Sequence, residues 1–187
     1  MITRSLATAV VFALGAAAPA WAADWTVDMD KSRLGFTFVQ DGKSIEGAFG
    51  EWTADITFDP DALEAASANV TVVIDSIDAG SRSRSRRARG KTWFAEKQHK
   101  EATFQTTAFR ETGKGAYEAD ATLTIRGTEQ PITLPFTLVF DGDSVTMDGT
   151  VTLDRTAFGV GQGDYESGDE IAIEVVVDVD LVATKAE

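Results

Sequence analysis

The sequence predicts an all-β fold, because apolar and polar residues alternate with a period of two along most of the chain. Turn-forming groups interrupt this alternation at short intervals, as at Asp59-Pro60-Asp61 and Asp141-Gly142-Asp143. About eight or nine strands in series, joined by short turns, are typical of an up-and-down barrel or of a sandwich. A length of 187 residues fits a single domain of either kind.

The predicted strands share this alternation and end at turn residues. In chain order they cover 25–29, 34–38, 45–49 continuing into 52–58, 70–74, 103–109, 117–125, 132–140, 145–153 and 171–181. Segment 117–125 alternates most cleanly, and Gly127 is expected to end it. Residues 62–66 follow Pro60 and predict a single helical turn.

Residues 81–100 are the one long interval without alternation, and they predict a helix or helical loop that crosses one end of the sheet. Trp93 and Phe94 are expected to pack this segment down while its arginines face water. Six cations lie within ten residues at the start of the segment, namely Arg82, Arg84, Arg86, Arg87, Arg89 and Lys91. They could bind a phosphate head group, form a solvated surface, or dock an acidic partner.

The first 22 residues have the three parts of a cleaved secretory signal: a positive start at Arg4, an apolar run over 6–18 and small residues before the expected cut after Ala22. The apolar run is shorter than the roughly 20 residues that cross a bilayer. We therefore predict a periplasmic mature domain of residues 23–187 that is not embedded in the membrane.

Composition restricts the chemistry that the chain can perform. A net charge of −13 disfavours binding to nucleic acid, and the absence of cysteine excludes thiolate catalysis and cysteine-ligated metals. The single histidine, His99, lies in a lysine-rich stretch, where a solvated side chain is expected. We predict no catalytic residues, no metal site and no enzymatic activity.

Parity along the strands places an almost wholly apolar set of side chains on one face, while Thr, Asp and Glu fill the other face. A membrane-spanning barrel would reverse this pattern. The interior of a small barrel either is filled by its own side chains or leaves room for a ligand, and alternation alone is compatible with both.

Two motifs resemble those of the YceI-like family of polyisoprenoid-binding proteins. Leu123-Thr-Ile-Arg-Gly127 resembles one family segment, and Asp154-Arg-Thr-Ala-Phe158-Gly resembles another. Shorter similarities lie at 25–28, 45–49, 58–60 and 77–80, so that the resemblance spans nearly all of residues 25–182. The chain departs from the family at Lys31-Ser32 and at 39–41, where histidines are common, and it lacks the usual proline before Ala102.

The resemblance implies an eight-stranded antiparallel lipocalin-like barrel, closed by an inserted helical segment, around a long isoprenoid tail. The residues predicted to contact the tail are Phe36, Phe38, Phe49, Ile56, Phe58, Ile74, Phe104, Leu123, Ile125, Phe136, Leu138, Leu153, Phe158 and Ile173. Arg82, Arg84 and Arg155 are predicted to contact the head group.

These expectations favour a periplasmic carrier for an isoprenoid lipid of the quinone or polyprenyl phosphate type, with no other cofactor. An alternative is a partner that delivers quinone to a membrane b-type cytochrome, or a stress-response factor. A third alternative is an enzyme that acts on the bound lipid. The resemblance also makes a homodimer a candidate assembly.

Overall fold

The computed structural model describes residues 23–186, and the predicted signal segment lies outside them. Within these residues eleven strands form one antiparallel sheet, and one α-helix is present. The strands are β1 (Ala23–Val27), β2 (Arg33–Gln40), β3 (Lys43–Phe49), β4 (Trp52–Phe58), β5 (Ser67–Val73), β6 (Ile77–Asp78), β7 (Glu101–Gly113), β8 (Ala116–Ile125), β9 (Thr128–Asp141), β10 (Ser144–Asp154) and β11 (Ile171–Lys185), and the helix is α1 (Arg82–Ala88).

Pairing between β1 and β11 closes the sheet into a barrel. The strands occupy eight positions in the described wall, because three positions are each built from two successive strands. β1 and β2 pair with successive parts of β11, β3 leads into β4 across Gly50 and Glu51, and β5 leads to β6 across a 3-10 helix at Ile74–Ser76. The predicted eight-stranded antiparallel barrel is thus confirmed.

Serine hydroxyls replace backbone pairing where these strand positions are interrupted. Between β1 and β2, Ser32 Oγ accepts from the amide of Val182 at 2.9 Å. After β5, the Ser76 hydroxyl donates to the carbonyl of Val73 at 2.7 Å. Backbone polar groups at the breaks therefore keep partners inside the wall.

Two hairpins turn through two residues that both have positive φ. They are Asp41-Gly42, with φ of 50° and 72°, and Arg126-Gly127, with φ of 56° and 74°. This is the type I′ geometry, whose twist matches that of the flanking strands. The second turn ends β8 where the sequence predicted.

One end of the barrel, which we call the aromatic end, is closed by packed rings. Phe58 lies 5.4 Å from both Phe109 and Tyr117 and 6.3 Å from Phe136, measured between ring centroids, and all three contacts are edge-on. Such tilted arrangements are favourable for aromatic pairs. The predicted helical turn at 62–66 is present here as a short 3-10 helix, Leu63–Ala65.

The opposite end, which we call the helical end, comprises α1, residues 89–100, residues 155–170 and the two type I′ turns. Trp93 is buried, and Phe94 packs against three clusters of buried side chains, as predicted. Arg82 and Arg86 are exposed as expected, whereas Arg84 is half-buried. Among residues 23–186, no helix has the length and apolar character needed to cross a bilayer.

Candidate functional site

A cavity of ≈ 310 Å³ runs along the interior of the barrel. It is lined at the aromatic end by Trp25 and Phe140 and at the helical end by Arg84 and Arg87. Residues from both ends of β11 line it, and a tilted strand of that length gives a cavity about 30 Å long. A cavity of this volume over that length is narrow, so its shape suits an extended chain.

The wall of the cavity is almost entirely apolar, in agreement with the parity of the strands. Most of the predicted tail-contacting residues line it, whereas Ile74 and Ile173 do not. The predicted residues that line it are Phe36, Phe38, Phe49, Ile56, Phe58, Phe104, Leu123, Ile125, Phe136, Leu138, Leu153 and Phe158. The interior therefore leaves space that its own side chains do not fill.

Ile74 was assigned to the lumen by extending the alternation of β5 one residue too far. The strand ends at Val73, and Ile74 begins a 3-10 helix. Its side chain is 1% exposed and packs with Trp52, Val72 and Ala102. It therefore contributes to the core beside the cavity.

Ile173 misses the cavity because the pairing of β11 with β2 is irregular. Ile171 pairs with Gln40, and Val175 pairs with Phe38. An advance of four residues along β11 therefore corresponds to an advance of two residues along β2. The extra residues displace Ile173 toward Gly168, whereas Ile171 and Val175 line the cavity. Simple parity cannot detect such a bulge.

Polar side chains interrupt the apolar lining at a few points. The hydroxyl of Thr106 has a hydrogen-bond partner within the wall, since its Oγ accepts from the amide of Ala68 at 2.8 Å. The remaining polar lining residues with charged or amide groups are Gln40, Arg84, Arg87 and Arg155. All four lie at the helical end.

Arg155 is buried and donates to the carbonyls of five residues. They are Val160, Gly161, Tyr165, Ile171 and Ala172. Burial lowers the pKa of Arg155, although the carboxylate of Asp154 acts in the opposite direction.

A guanidinium has five N–H donors, so none is left for a ligand. The guanidinium carbon also lies 5.2 Å from the Trp93 ring centroid. These hydrogen bonds hold the loops that close the helical end, and the geometry does not support the predicted contact of Arg155 with a head group.

Arg126, the arginine of the Leu-Thr-Ile-Arg-Gly motif, ties residues 89–100 to residues 155–170. It donates to the carbonyl of Gly159, to the carbonyl of Lys91 at 2.9 Å and to Oε1 of Gln162 at 2.9 Å. The type I′ turn at 126–127 places this side chain beyond the end of β8. The two sequence motifs thus meet at the helical end, where their arginines fix the closing loops.

Arg84 is the predicted head-group residue that lines the cavity with hydrogen-bonding capacity still available. Its Nε donates to Oε1 of Gln40 at 2.9 Å, and its Nη1 to Oγ of Ser81 at 3.3 Å. Arg82 is exposed and does not line the cavity, so the geometry does not support its predicted role.

Gln40 and Arg87 also line the cavity, and the sequence predictions missed both. The missed signals were present in the sequence. Gln40 continues the inward parity of Leu34, Phe36 and Phe38. Arg84 and Arg87 are three residues apart on α1, and the small buried residues Ser85 and Ala88 follow them.

Two further features of the helical end concern side chains of the closing loops. The indole N–H of Trp93 has no hydrogen-bond partner among the described residues. His99 lies beside Gly127, and within residues 23–186 no group of three potential metal ligands converges.

A closed eight-stranded barrel around an elongated apolar cavity defines a lipocalin-like ligand-binding protein. The model of the YceI-like domain matches residues 25–183. The chain therefore belongs to the YceI-like family.

Several relatives show the extent of this similarity. A UPF0312 protein of Pseudomonas savastanoi pv. phaseolicola is 28% identical over 86% of this chain and 88% of its own length. The crystal structure of Burkholderia cenocepacia BcnA is 34% identical, with a TM-score of 0.82 over 85% of this chain and 100% of that one. A polyisoprenoid binding domain from Saccharophagus degradans shares the fold at 14% identity, with a TM-score of 0.70 over 88% of this chain and 99% of its own.

Proposed function

We propose that this chain is a periplasmic carrier that encloses the tail of an isoprenoid lipid, of the quinone or polyprenyl phosphate type. The observation that supports this most directly is the narrow apolar cavity that extends from Trp25 to Arg84. Burial of an apolar tail there contributes roughly 25 cal/mol per Å² removed from water, before the cost of ordering the tail. The polyisoprenoid-binding fold relative and the signal-like residues 1–22 are consistent with this proposal.

Binding rather than catalysis accounts best for the chemistry of the lining. Its polar groups are the amide of Gln40, the hydroxyl of Thr106 and guanidinium groups, which hold a head group by hydrogen bonds and charge. A carrier needs no proton-transferring residue near its ligand, and the aliphatic and aromatic wall tolerates variation in tail chemistry.

The test combines extraction with a comparison of matched variants. Protein purified from the periplasm is analysed by native mass spectrometry and by organic extraction, which name the lipid and count the subunits. Val151 lines the cavity, and its neighbour Thr152 is exposed on the outside of β10. We expect Val151→Trp to abolish binding of long isoprenoid alcohols while short ones still bind, and Thr152→Trp to change neither.

Two outcomes would contradict the carrier proposal. One is a protein that carries no lipid after purification and takes up no isoprenoid at any tail length. The other is equal loss of long-tail binding in Val151→Trp and Thr152→Trp, which would place the binding site outside the barrel.

A further inference from the structure

At the helical end, the cavity lining carries positive charge that the described residues do not fully neutralise. Arg84 is half-buried, and among the described residues no carboxylate lies within 4.0 Å of its guanidinium nitrogens. Other arginines differ: Arg89 pairs with Asp75 at 2.9 Å, and Arg110 pairs with two carboxylates. An unpaired cation beside an apolar cavity is costly, and an anion from a ligand offsets that cost.

Gln40 fixes the orientation of this cation. Its side-chain oxygen accepts from Nε of Arg84 on the cavity side, whereas Ser81 accepts from Nη1. Within residues 23–186, Nη2 of Arg84 donates no hydrogen bond. The guanidinium is thus held through two of its N–H groups, and its other donors remain available to oxygen atoms of a ligand.

Arg87 adds a second positive charge three residues further along α1, and it also lines the cavity. Its partner Glu170 lies at 3.4 Å, and both side chains are about half exposed, at 45% and 46%. A pair of this kind contributes little to stability and can be displaced by a ligand. The two guanidinium groups at the helical end of the cavity therefore suit a ligand group that carries two negative charges.

We infer that Arg84, oriented by Gln40 and assisted by Arg87, selects lipids with a phosphate-ester head group over neutral lipids with the same tail. The inference rests on the proposed function, since it concerns the head of the lipid whose tail occupies the cavity. A neutral quinone carbonyl accepts hydrogen bonds but leaves the positive charge of Arg84 uncompensated and Arg87 paired with Glu170. A phosphate monoester or diphosphate accepts bidentate hydrogen bonds and neutralises the charges.

The test uses three lipids with one tail, namely geranylgeraniol, geranylgeranoic acid and geranylgeranyl phosphate, and measures their affinities through the fluorescence of the tryptophans. We expect the wild-type protein to bind the phosphate about tenfold more tightly than the alcohol, with the carboxylate between them. Arg84→Met should remove most of this ratio without weakening the alcohol. Arg82→Met, a change on the same helix that leaves the cavity lining intact, should preserve the ratio.

A third variant examines whether Glu170 competes with the ligand for Arg87. Glu170→Gln removes the carboxylate that faces Arg87, so the affinity for the phosphate should rise about twofold. Urea unfolding of each variant shows that the altered affinities belong to folded protein. If Arg84→Met does not fold, Gln40→Leu, which leaves Arg84 without its orienting acceptor, should also lower the ratio.

Each contrary outcome has a distinct meaning. Equal affinity for alcohol and phosphate in the wild type overturns the head-group inference but leaves the carrier proposal intact. A carboxylate that binds as tightly as the phosphate shows that the phosphate assignment is wrong. If Arg82→Met and Arg84→Met lower the ratio of phosphate to alcohol affinity equally, the preference comes from the overall charge of α1. It then does not come from a specific site at Arg84. If none of the three lipids binds, the inference fails, and the carrier proposal fails with it when extraction also recovers no lipid and no other tail length binds.

Discussion

At the aromatic end of the barrel Phe58, Phe109, Tyr117 and Phe136 pack against one another, whereas at the helical end two arginines hold the loops through hydrogen bonds to backbone carbonyls. Burial of the apolar surface of these rings is non-directional and contributes in proportion to the area that is buried. Hydrogen bonds from a buried guanidinium require each partner in place. The comparison indicates that the aromatic end is closed mainly by buried apolar area, whereas the helical end is closed by loops whose positions the arginines fix.

The largest expected effect lies at the aromatic end. Phe58→Ala removes a ring that is 6% exposed and contacts three other rings, so the free energy of unfolding should fall by about 3–5 kcal/mol. Urea unfolding measures the change. The matched control is Phe140→Ala at the same end, where the ring is 41% exposed and the loss should be much smaller. Similar losses in the two variants would contradict the view that packing closes this end.

A somewhat smaller and more local effect is expected at the helical end. Arg155→Met leaves five carbonyls without their donor, and we expect a loss of about 3 kcal/mol. Hydrogen exchange should accelerate in residues 155–172 before it accelerates in the strands of the wall. Arg155→Lys keeps the charge with fewer donors and should recover part of the loss. Uniform acceleration across the barrel would show that this arginine supports the whole fold.

The smallest effect depends on pH. Asp154 accepts hydrogen bonds from the hydroxyl of Thr156 and from the amides of Thr156 and Ala157, and these bonds hold the pKa of Asp154 below its ordinary value, although burial opposes them. Because the pKa is lowered in the folded state, the contribution of Asp154 is complete above the unfolded pKa of about 4. It disappears as the pH falls through the lower folded value.

Asp154→Ala should therefore cost about 1 kcal/mol at pH 7, as for other capping residues, and progressively less below pH 4. Urea unfolding of wild type and variant at pH 7 and pH 3 measures the difference. Asp154→Asn retains an acceptor that does not titrate, so its stability relative to Asp154→Ala should not depend on pH. A cost of Asp154→Ala that is equal at both pH values would show that the charge of Asp154 is irrelevant.

Much of the barrel and its lining could be predicted from the sequence, because a strand with one buried face has an unambiguous period of two. The errors lie where the backbone leaves that period. Ile74 follows the end of β5, and Ile173 lies within a bulge, and neither break has a local signal in the sequence. The sequence predicted that 45–49 continues into 52–58, but periodicity did not show that β1 with β2 and β5 with β6 also share positions in the wall.

The arginines show a different limit of sequence reasoning. The sequence predicts the same role for Arg84 and Arg155, yet the guanidinium of Arg84 uses two of its donors and that of Arg155 uses all five. Residue type and spacing cannot distinguish the roles of these two arginines, because the difference depends on where carbonyls distant in sequence lie in the folded chain. Arg87 and Gln40 could have been assigned to the lining from helix and strand parity alone.

The five carbonyl bonds of Arg155 close one end of the barrel without any covalent link, and the chain contains no cysteine that could form one. Closure is therefore independent of redox potential, and neither a reductant nor an oxidant of thiols changes it. Hydrogen bonds from one cation break and form again without a catalyst, so neither a disulfide isomerase nor a thiol reductase has a bond to act on at this end of the barrel.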